Sequence, residues 1–218
     1  LSPELVVHDP ADTFLTPDSG NTTASRQTVI TGEAARKAAG QLKKDMETAS
    51  FHELEGCEYY AEFESVTDKM GSEKPHPVSH ISYGYAVHLV ILDDDGRIKK
   101  ITAAHDVGRA INPKSVEGQI EGGVVMSMGY ALTENYPLKD CVPQAKFGTL
   151  GLFRADMVPD IESIVIGKAK DGFAGGAKGI GEIAATPGAP AIQLAYYNRD
   201  GVFRTSLPLE DTPYSKKK

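Results

Sequence analysis

Two stretches of the chain repeat their apolar residues every four positions. Ala34, Ala38, Leu42 and Met46 form one stripe, with Arg36, Lys37, Lys43 and Lys44 elsewhere on the surface; Val116, Ile120, Val124, Met128 and Leu132 form the other. Both predict amphipathic helices. Thr31 is the expected N-cap of the first helix, which runs to about Thr48, and Pro113 opens the second. Gly118, Gly122, Gly123 and Gly129 thin the second helix for close approach and weaken it, so tertiary contact must hold it. Between the helices the period falls to two: Ile81, Tyr83, Tyr85, Val87, Leu89 and Ile91 alternate as one face of a strand. Asp93-Asp94-Asp95-Gly96 then turns the chain and residues 97–104 return it, which predicts a β-hairpin.

Further on, a strand is expected at Ile161–Ile166, a helix from Pro187 to about Asn198 with Thr186 as its N-cap, and a last strand at Val202–Leu207. Residues 9–28 and 68–79 carry loop chemistry, rich in Asp, Thr, Ser, Gly and Pro. This order predicts an α+β fold of two packed subdomains, each a small hairpin-containing sheet covered by helices. One subdomain takes residues 1–75 and part of the C-terminal half, the other residues 76–160.

With 218 residues, 40% of them hydrophobic, the chain can bury a core without covalent staples. Cys57 and Cys141 are the only cysteines and form no CxxC pair, so disulfides, a zinc ribbon and an iron–sulfur cluster built from this chain alone are not expected. The formal charge of −7 disfavours a nucleic-acid surface; the basic run Lys216-Lys217-Lys218 reads as a solvated tail. No apolar run approaches a membrane span and no signal-peptide pattern opens the chain, which points to the cytoplasm. The start without methionine, in a segment that reads as mid-chain, suggests a piece of a longer subunit.

The densest chemistry lies at Gly175-Gly176-Ala177-Lys178-Gly179-Ile180-Gly181-Glu182. Glycines let a backbone approach something bulky, and one carboxylate delivered there, near a helix N-terminus, suits a general base. Gly179-Ile180-Gly181-Glu182-Ile183-Ala184 also matches the form of a dinucleotide fingerprint, with Asp200 about 20 residues on. That reading needs an apolar strand directly before Gly179, and residues 171–176 are not one. Thr22 to Thr28, a run of hydroxyl residues around Arg26 leading to a helix, can offer hydroxyls and a guanidinium to a phosphate or a polar heterocycle, although capping loops look the same. Gln119, an amide on the glycine-thinned helix, can donate to and accept from a heterocycle edge. His105 and Asp106 read as structural because no nucleophile elbow accompanies them, and Asp93 to Asp95 read as a turn and not a calcium loop.

Three segments in this order, Thr22-Thr23-Ala24-Ser25-Arg26-Gln27-Thr28, Asp106-Val107-Gly108-Arg109-Ala110-Ile111-Asn112-Pro113 with Gly118-Gln119-Ile120-Glu121-Gly122, and Ala177-Lys178-Gly179-Ile180-Gly181-Glu182, resemble the last third of the molybdenum-binding subunit of the xanthine dehydrogenase/aldehyde oxidase family. The resemblance covers nearly the whole chain and implies a molybdenum hydroxylase acting on a purine, another N-heterocycle or an aldehyde. It implies that Glu182 is the base that deprotonates the molybdenum-bound hydroxyl, that Gln119 contacts the pterin, and that Ala24, Ser25, Arg26, Gln27, Gly179 and Gly181 surround the molybdopterin. It further implies the cytosine dinucleotide form of the cofactor, with molybdenum held by the pterin and not by protein side chains. The remainder of the subunit and [2Fe-2S] and FAD domains would lie outside this chain, which alone is expected to be inactive. Residues 144–159, with Lys146-Phe147-Gly148-Thr149, match the family loosely and receive no substrate role. The competing readings are a nicotinamide-dependent oxidoreductase domain and a noncatalytic interaction domain.

Overall fold

The computed structural model describes residues 2–7, 12–14, 16–146, 148–167, 169 and 171–215. The Lys216–Lys218 tail and Phe147 lie outside them. The fold is α+β. Strands β1 (Tyr85–Leu92) and β2 (Ile98–Asp106) form the expected antiparallel hairpin, with Val87 opposite Ala104 and Leu89 opposite Thr102. The turn is closed by Gly96 N–H donating to the Asp93 carbonyl at 3.0 Å and Arg97 N–H donating to Asp93 Oδ1 at 2.8 Å. Helix α2 (Pro113–Leu132) carries the chain to β5 (Asp160–Ile166), which pairs parallel to β2 and gives a three-stranded sheet in the order β1-β2-β5. A parallel neighbour requires such a crossover. On the way, β3 (Leu138–Lys139) and β4 (Val142–Pro143) form a separate two-residue ribbon.

Helix α2 takes the bounds its apolar period predicts, and every residue of its stripe is buried. Asn112 caps it by accepting from Ser115 N–H at 3.1 Å, with Pro113 following. Helix α3 (Gly188–Asp200) packs beside it on the same face of the sheet, and Ile101, Ile120, Met128, Leu132, Ile192 and Tyr196 fill the space between. The four glycines of α2 differ in use. A Cβ at Gly123 would fall 2.5 Å from Ala184 Cβ, so this glycine permits close contact, whereas Gly118 and Gly122 have open space beside them.

Four elements depart from the sequence expectation, the first being β1, which starts at Tyr85, so that Ile81 and Tyr83 precede the strand. Helix α1 spans Gln27–Asp45, so Thr31 lies inside it and the N-cap position is Arg26, without a side-chain cap. The helix starts early because Ala24 and Ser25 take left-handed conformations, φ 50° and 52°, that turn the chain into it. The α3 N-cap position is Pro187 and not Thr186, because a 3₁₀ turn at Ile183–Ala185 intervenes and Thr186 closes that turn. Residues 202–207 form no strand: the Arg204 carbonyl accepts from the Gln193 side chain at 3.0 Å and the Arg204 guanidinium reaches the Glu210 carbonyl, which satisfies this segment without a sheet partner.

The other face of the sheet is open. Tyr85, Val87 and Leu89 on β1 are 71%, 70% and 59% exposed, and Ala104, Ile164 and Ile166 extend the same face across β2 and β5 by register. At the far end of this face Lys100 and Glu162 pair at 2.8 Å.

Candidate functional site

The glycine loop is laid over the end of β2 by backbone pairing. Arg109 N–H donates to the Gly176 carbonyl at 3.0 Å and Lys178 N–H to the Val107 carbonyl at 3.1 Å. Lys178 Nζ then reaches Asp106 Oδ2 at 2.5 Å, above the Tyr85 ring, and Asp106 Oδ1 accepts from Gly108 N–H. Lys178 beside it holds the Asp106 carboxyl below its ordinary value. Asp106 is therefore the structural residue the sequence suggests. So is His105, which is fully buried with its Nε2 2.9 Å from that of His88. No strand precedes Gly179, since residues 173–175 form a 3₁₀ turn, and Asp200 ends a helix; the dinucleotide fingerprint has neither of the strands it needs.

The loop meets the 22–28 segment at Ser25. Ser25 Oγ donates to Glu182 Oε2 at 3.2 Å. A Cβ at Gly179 would fall 2.8 Å from the Ser25 carbonyl, and one at Gly181 would fall 2.9 Å from Ser25 Oγ and 3.2 Å from Gln119 Oε1. These two glycines thus bring three chain segments together before any ligand is considered.

Two concavities flank this contact, and among the described residues Ser25 alone lines both. The smaller, about 200 Å³, holds Ala24, Ser25, Arg26, Gly179 and Glu182, facing a wall of Ser65, Thr67, Ser79, His80 and Ser82. The larger, about 660 Å³, holds Thr22, Ser25, Gln27 and Thr28 from one side, Arg109, Asn112, Ser115 and Gln119 from another, and Gly181 from the loop. The seven other residues that the resemblance assigns to the site thus each line one of the two concavities that share Ser25, with Glu182 in the smaller and Gln119 in the larger. Glu182 is exposed and occupies the N-cap position of the Ile183–Ala185 turn, its carbonyl accepting from Ala185 N–H at 3.2 Å, so it stands one turn away from the α3 N-terminus expected beside it.

The donor set suits a pterin with a phosphate arm. The larger concavity offers an amide at Gln119 and hydroxyls at Thr22, Ser25 and Thr28 for a heterocycle edge. Among the described residues Arg26 and Arg109 make no ion pair, whereas Lys178 is committed to Asp106. No group of three metal-ligating side chains occurs among the described residues. Sequence reasoning missed Arg109 as a lining residue, although it sits inside a quoted motif. It also missed Glu33, whose spacing of four from the buried Val29 marks the inner side of α1.

The chain matches the molybdopterin cofactor-binding domain family over residues 1–65 and 46–159. It is 30% identical to the gamma subunit of the 6-hydroxypseudooxynicotine dehydrogenase complex of Paenarthrobacter nicotinovorans over 96% of this chain and 31% of that protein. It is 32% identical to the xanthine dehydrogenase molybdenum-binding subunit of Escherichia coli O157:H7 over 51% of this chain and 15% of that protein. The crystal structure of the aldehyde oxidoreductase from Desulfovibrio desulfuricans ATCC 27774 superposes with a TM-score of 0.70 at 29% identity, over 84% of this chain and 22% of that one. The chain thus spans less than a third of the length of these relatives.

Proposed function

Since the chain belongs to the molybdopterin cofactor-binding domain family, we propose that residues 1–218 are the C-terminal cofactor-binding part of the molybdenum subunit of a hydroxylase resembling xanthine dehydrogenase and aldehyde oxidase. The carrying observation is the junction at Ser25, where the 22–28 loop, the Gln119 helix and the Glu182 loop meet between two concavities. When bound, the molybdenum–pterin group supplies two-electron redox chemistry and activates water as the oxygen source for hydroxylating an electron-poor carbon. The substrate class is a purine, another N-heterocycle or an aldehyde.

Each residue has a definite task in this reading. Gln119 and the Thr22 and Thr28 hydroxyls pair with the heterocycle edge, and Ala24, Gln27, Gly179 and Gly181 shape the backbone around it. Arg26 and Arg109 are cations available to phosphate, which supports the cytosine dinucleotide form of the cofactor. Glu182 is the general base, and the Ser25 hydroxyl fixes the orientation of its carboxylate. The partners are the remainder of the subunit, which meets the open apolar face of the sheet, and [2Fe-2S] and FAD domains that carry electrons away. A cytoplasmic setting suits two exposed, unpaired cysteines and a chain in which no described helix is long and apolar enough to cross a membrane.

The test is Glu182→Gln in the complete subunit with its partners. The amide keeps the shape of the side chain but cannot take a proton, so molybdenum content stays near normal while turnover per molybdenum falls by ~10² or more. Wild-type turnover per molybdenum in this variant overturns the assignment of Glu182 as base.

A further inference from the structure

Glu33 is an acidic residue in a place where acids are rarely found. It lies on α1, roughly two turns past Ser25, and is only 3% exposed. Arg36 grips both of its oxygens, Nε to Oε2 at 2.8 Å and Nη2 to Oε1 at 2.6 Å. Such a pair needs only the surface, because the Arg36 side chain is 60% exposed. What takes the carboxylate inside is a third bond: the buried Ala174 N–H donates to Glu33 Oε2 at 2.8 Å. Arg36 holds the Glu33 carboxyl down at about 2 against the opposing effect of burial, so the group stays ionised in place.

Ala174 opens the glycine loop in a left-handed conformation, φ 50°, within a run where Gly172, Gly175 and Gly176 also have positive φ. A non-glycine residue holds that conformation only when its surroundings impose it. α1 supplies three of the contacts at this point: the Glu33 carboxylate, the close approach of Gly32, where a Cβ would lie 3.3 Å from Ala174 Cβ, and Val29 in the small core that holds Ala174 and Ala177. Beside them stand Ile81 in the same small core and the pairing of the loop with the end of β2. Among the described residues, α1 and the segment leading into it make two side-chain hydrogen bonds to residues 171–186: Glu33 to Ala174, and Ser25 to Glu182. One lies at the start of the loop and the other at its end.

Resting on the cofactor-site reading above, we propose that Glu33 is a positioning residue that clasps the glycine loop to α1 and thereby sets the spacing between Ser25 and Glu182 across the two concavities. Through the clasp, a residue that touches neither concavity governs where the base stands.

The test compares Glu33→Ala, Glu33→Asp and Glu33→Gln in the complete subunit with its partners. Asp keeps the charge but is too short to reach Ala174, whereas Gln keeps an acceptor for the amide. Leu132→Ala, at the far end of α2, is a purely destabilising control. Hydrogen exchange is read at residues 174–176 and turnover is read per molybdenum. In Glu33→Ala and Glu33→Asp the amides of residues 174–176 lose protection and turnover per molybdenum falls ~10-fold or more, within the ~10²-fold that a 1 Å misplacement costs. Glu33→Gln restores both, and Leu132→Ala lowers the melting temperature without either change. Unchanged protection or turnover in Glu33→Asp overturns the clasp, as does an equal turnover loss in Leu132→Ala. Absence of molybdenum from the wild-type enzyme would instead sink the cofactor reading, and the exchange data would still decide the clasp.

Discussion

Gly123 is where helix α2 presses on the turn that follows Glu182, and substituting it is the sharpest probe of this packing. A Cβ at this position would fall 2.5 Å from Ala184 Cβ, 2.8 Å from the Ala184 carbonyl carbon and 3.0 Å from Ala185 N. Carbon atoms pack at about 3.5–4.0 Å, so Gly123→Ala forces a separation of roughly 1 Å. Two of the three obstructing atoms are backbone, so no side-chain rotation relieves the overlap. The neighbouring Gly122 has nothing within 4 Å and provides a matched control. Both substitutions gain the same ~1 kcal/mol of helix propensity, which cancels in the comparison. What remains is the overpacking cost, so Gly123→Ala should be ~1–3 kcal/mol less stable than Gly122→Ala. Denaturant titrations of the two variants at equal m-value measure this directly. In the complete enzyme the same shift moves the turn next to Glu182 and lowers turnover per molybdenum by up to ~10²-fold. If Gly123→Ala proved as stable as Gly122→Ala, the close packing of α2 on the Ile183–Ala185 turn would be refuted.

Gln119→Ala in the complete subunit should leave the base intact but reduce molybdenum occupancy, with ~1–3 kcal/mol lost if a buried cofactor group is left unpaired; normal occupancy counts against the pterin contact. Acid should weaken the protein early. Burial, and secondarily the neighbouring His105, push His88 down to about 4, below its unfolded value near 6.5, so the unfolded chain takes up the proton first as pH falls. That loses ~2–3 kcal/mol between pH 6.5 and 4.5, before Glu33 begins to lose its contribution below its unfolded value of 4.5, and a flat stability profile over that window contradicts the buried histidine pair. On the sheet, cysteines placed at Val87 and Leu89 in the complete subunit should resist alkylation relative to the exposed Cys57; equal reaction rates would show that nothing covers the face.

The parts of the fold that are legible in the sequence are those fixed by local pattern. Helix α2 carries a stripe of five buried residues and a Pro113 start, and the hairpin carries an acidic turn ending in glycine, so both fall where periodicity puts them, apart from the later start of β1. Sequence rules start helix α1 too late because Ala24 and Ser25 adopt a left-handed backbone that those rules reserve for glycine and asparagine. Ser25 there meets Gly179 and Glu182, more than 150 residues away. The same distance hides Glu33, since a charged residue on a helix is read as solvent-facing until a partner is known, and the amide that draws it inward lies 141 positions on. The site is legible as a set of motifs but not as a geometry. Nothing in the spacing of Glu182 and Gln119 says that one serine separates them.

Strand β1 presents an apolar open face to the proposed remainder of the subunit. Its outward positions are Tyr85, Val87, Leu89 and Ile91, while Ala86, His88, Val90 and Leu92 face α2 and α3, so the strand is apolar on both sides with His88 as the exception. Such near-continuous apolar runs belong to strands covered on both faces, whereas a strand meant to face water alternates with polar residues. Here two helices cover one face and the other stays open around Tyr85, next to the Lys178–Asp106 pair that anchors the glycine loop. A contiguous apolar surface at the edge of a site is the mark of a protein contact. On the proposed reading, a layer covering this face would bear on the loop carrying Glu182, so assembly of the subunit would influence the placement of the proposed base. Replacing Leu89 with a charged residue should then impair cofactor retention as well as association, although Leu89 itself lines neither concavity.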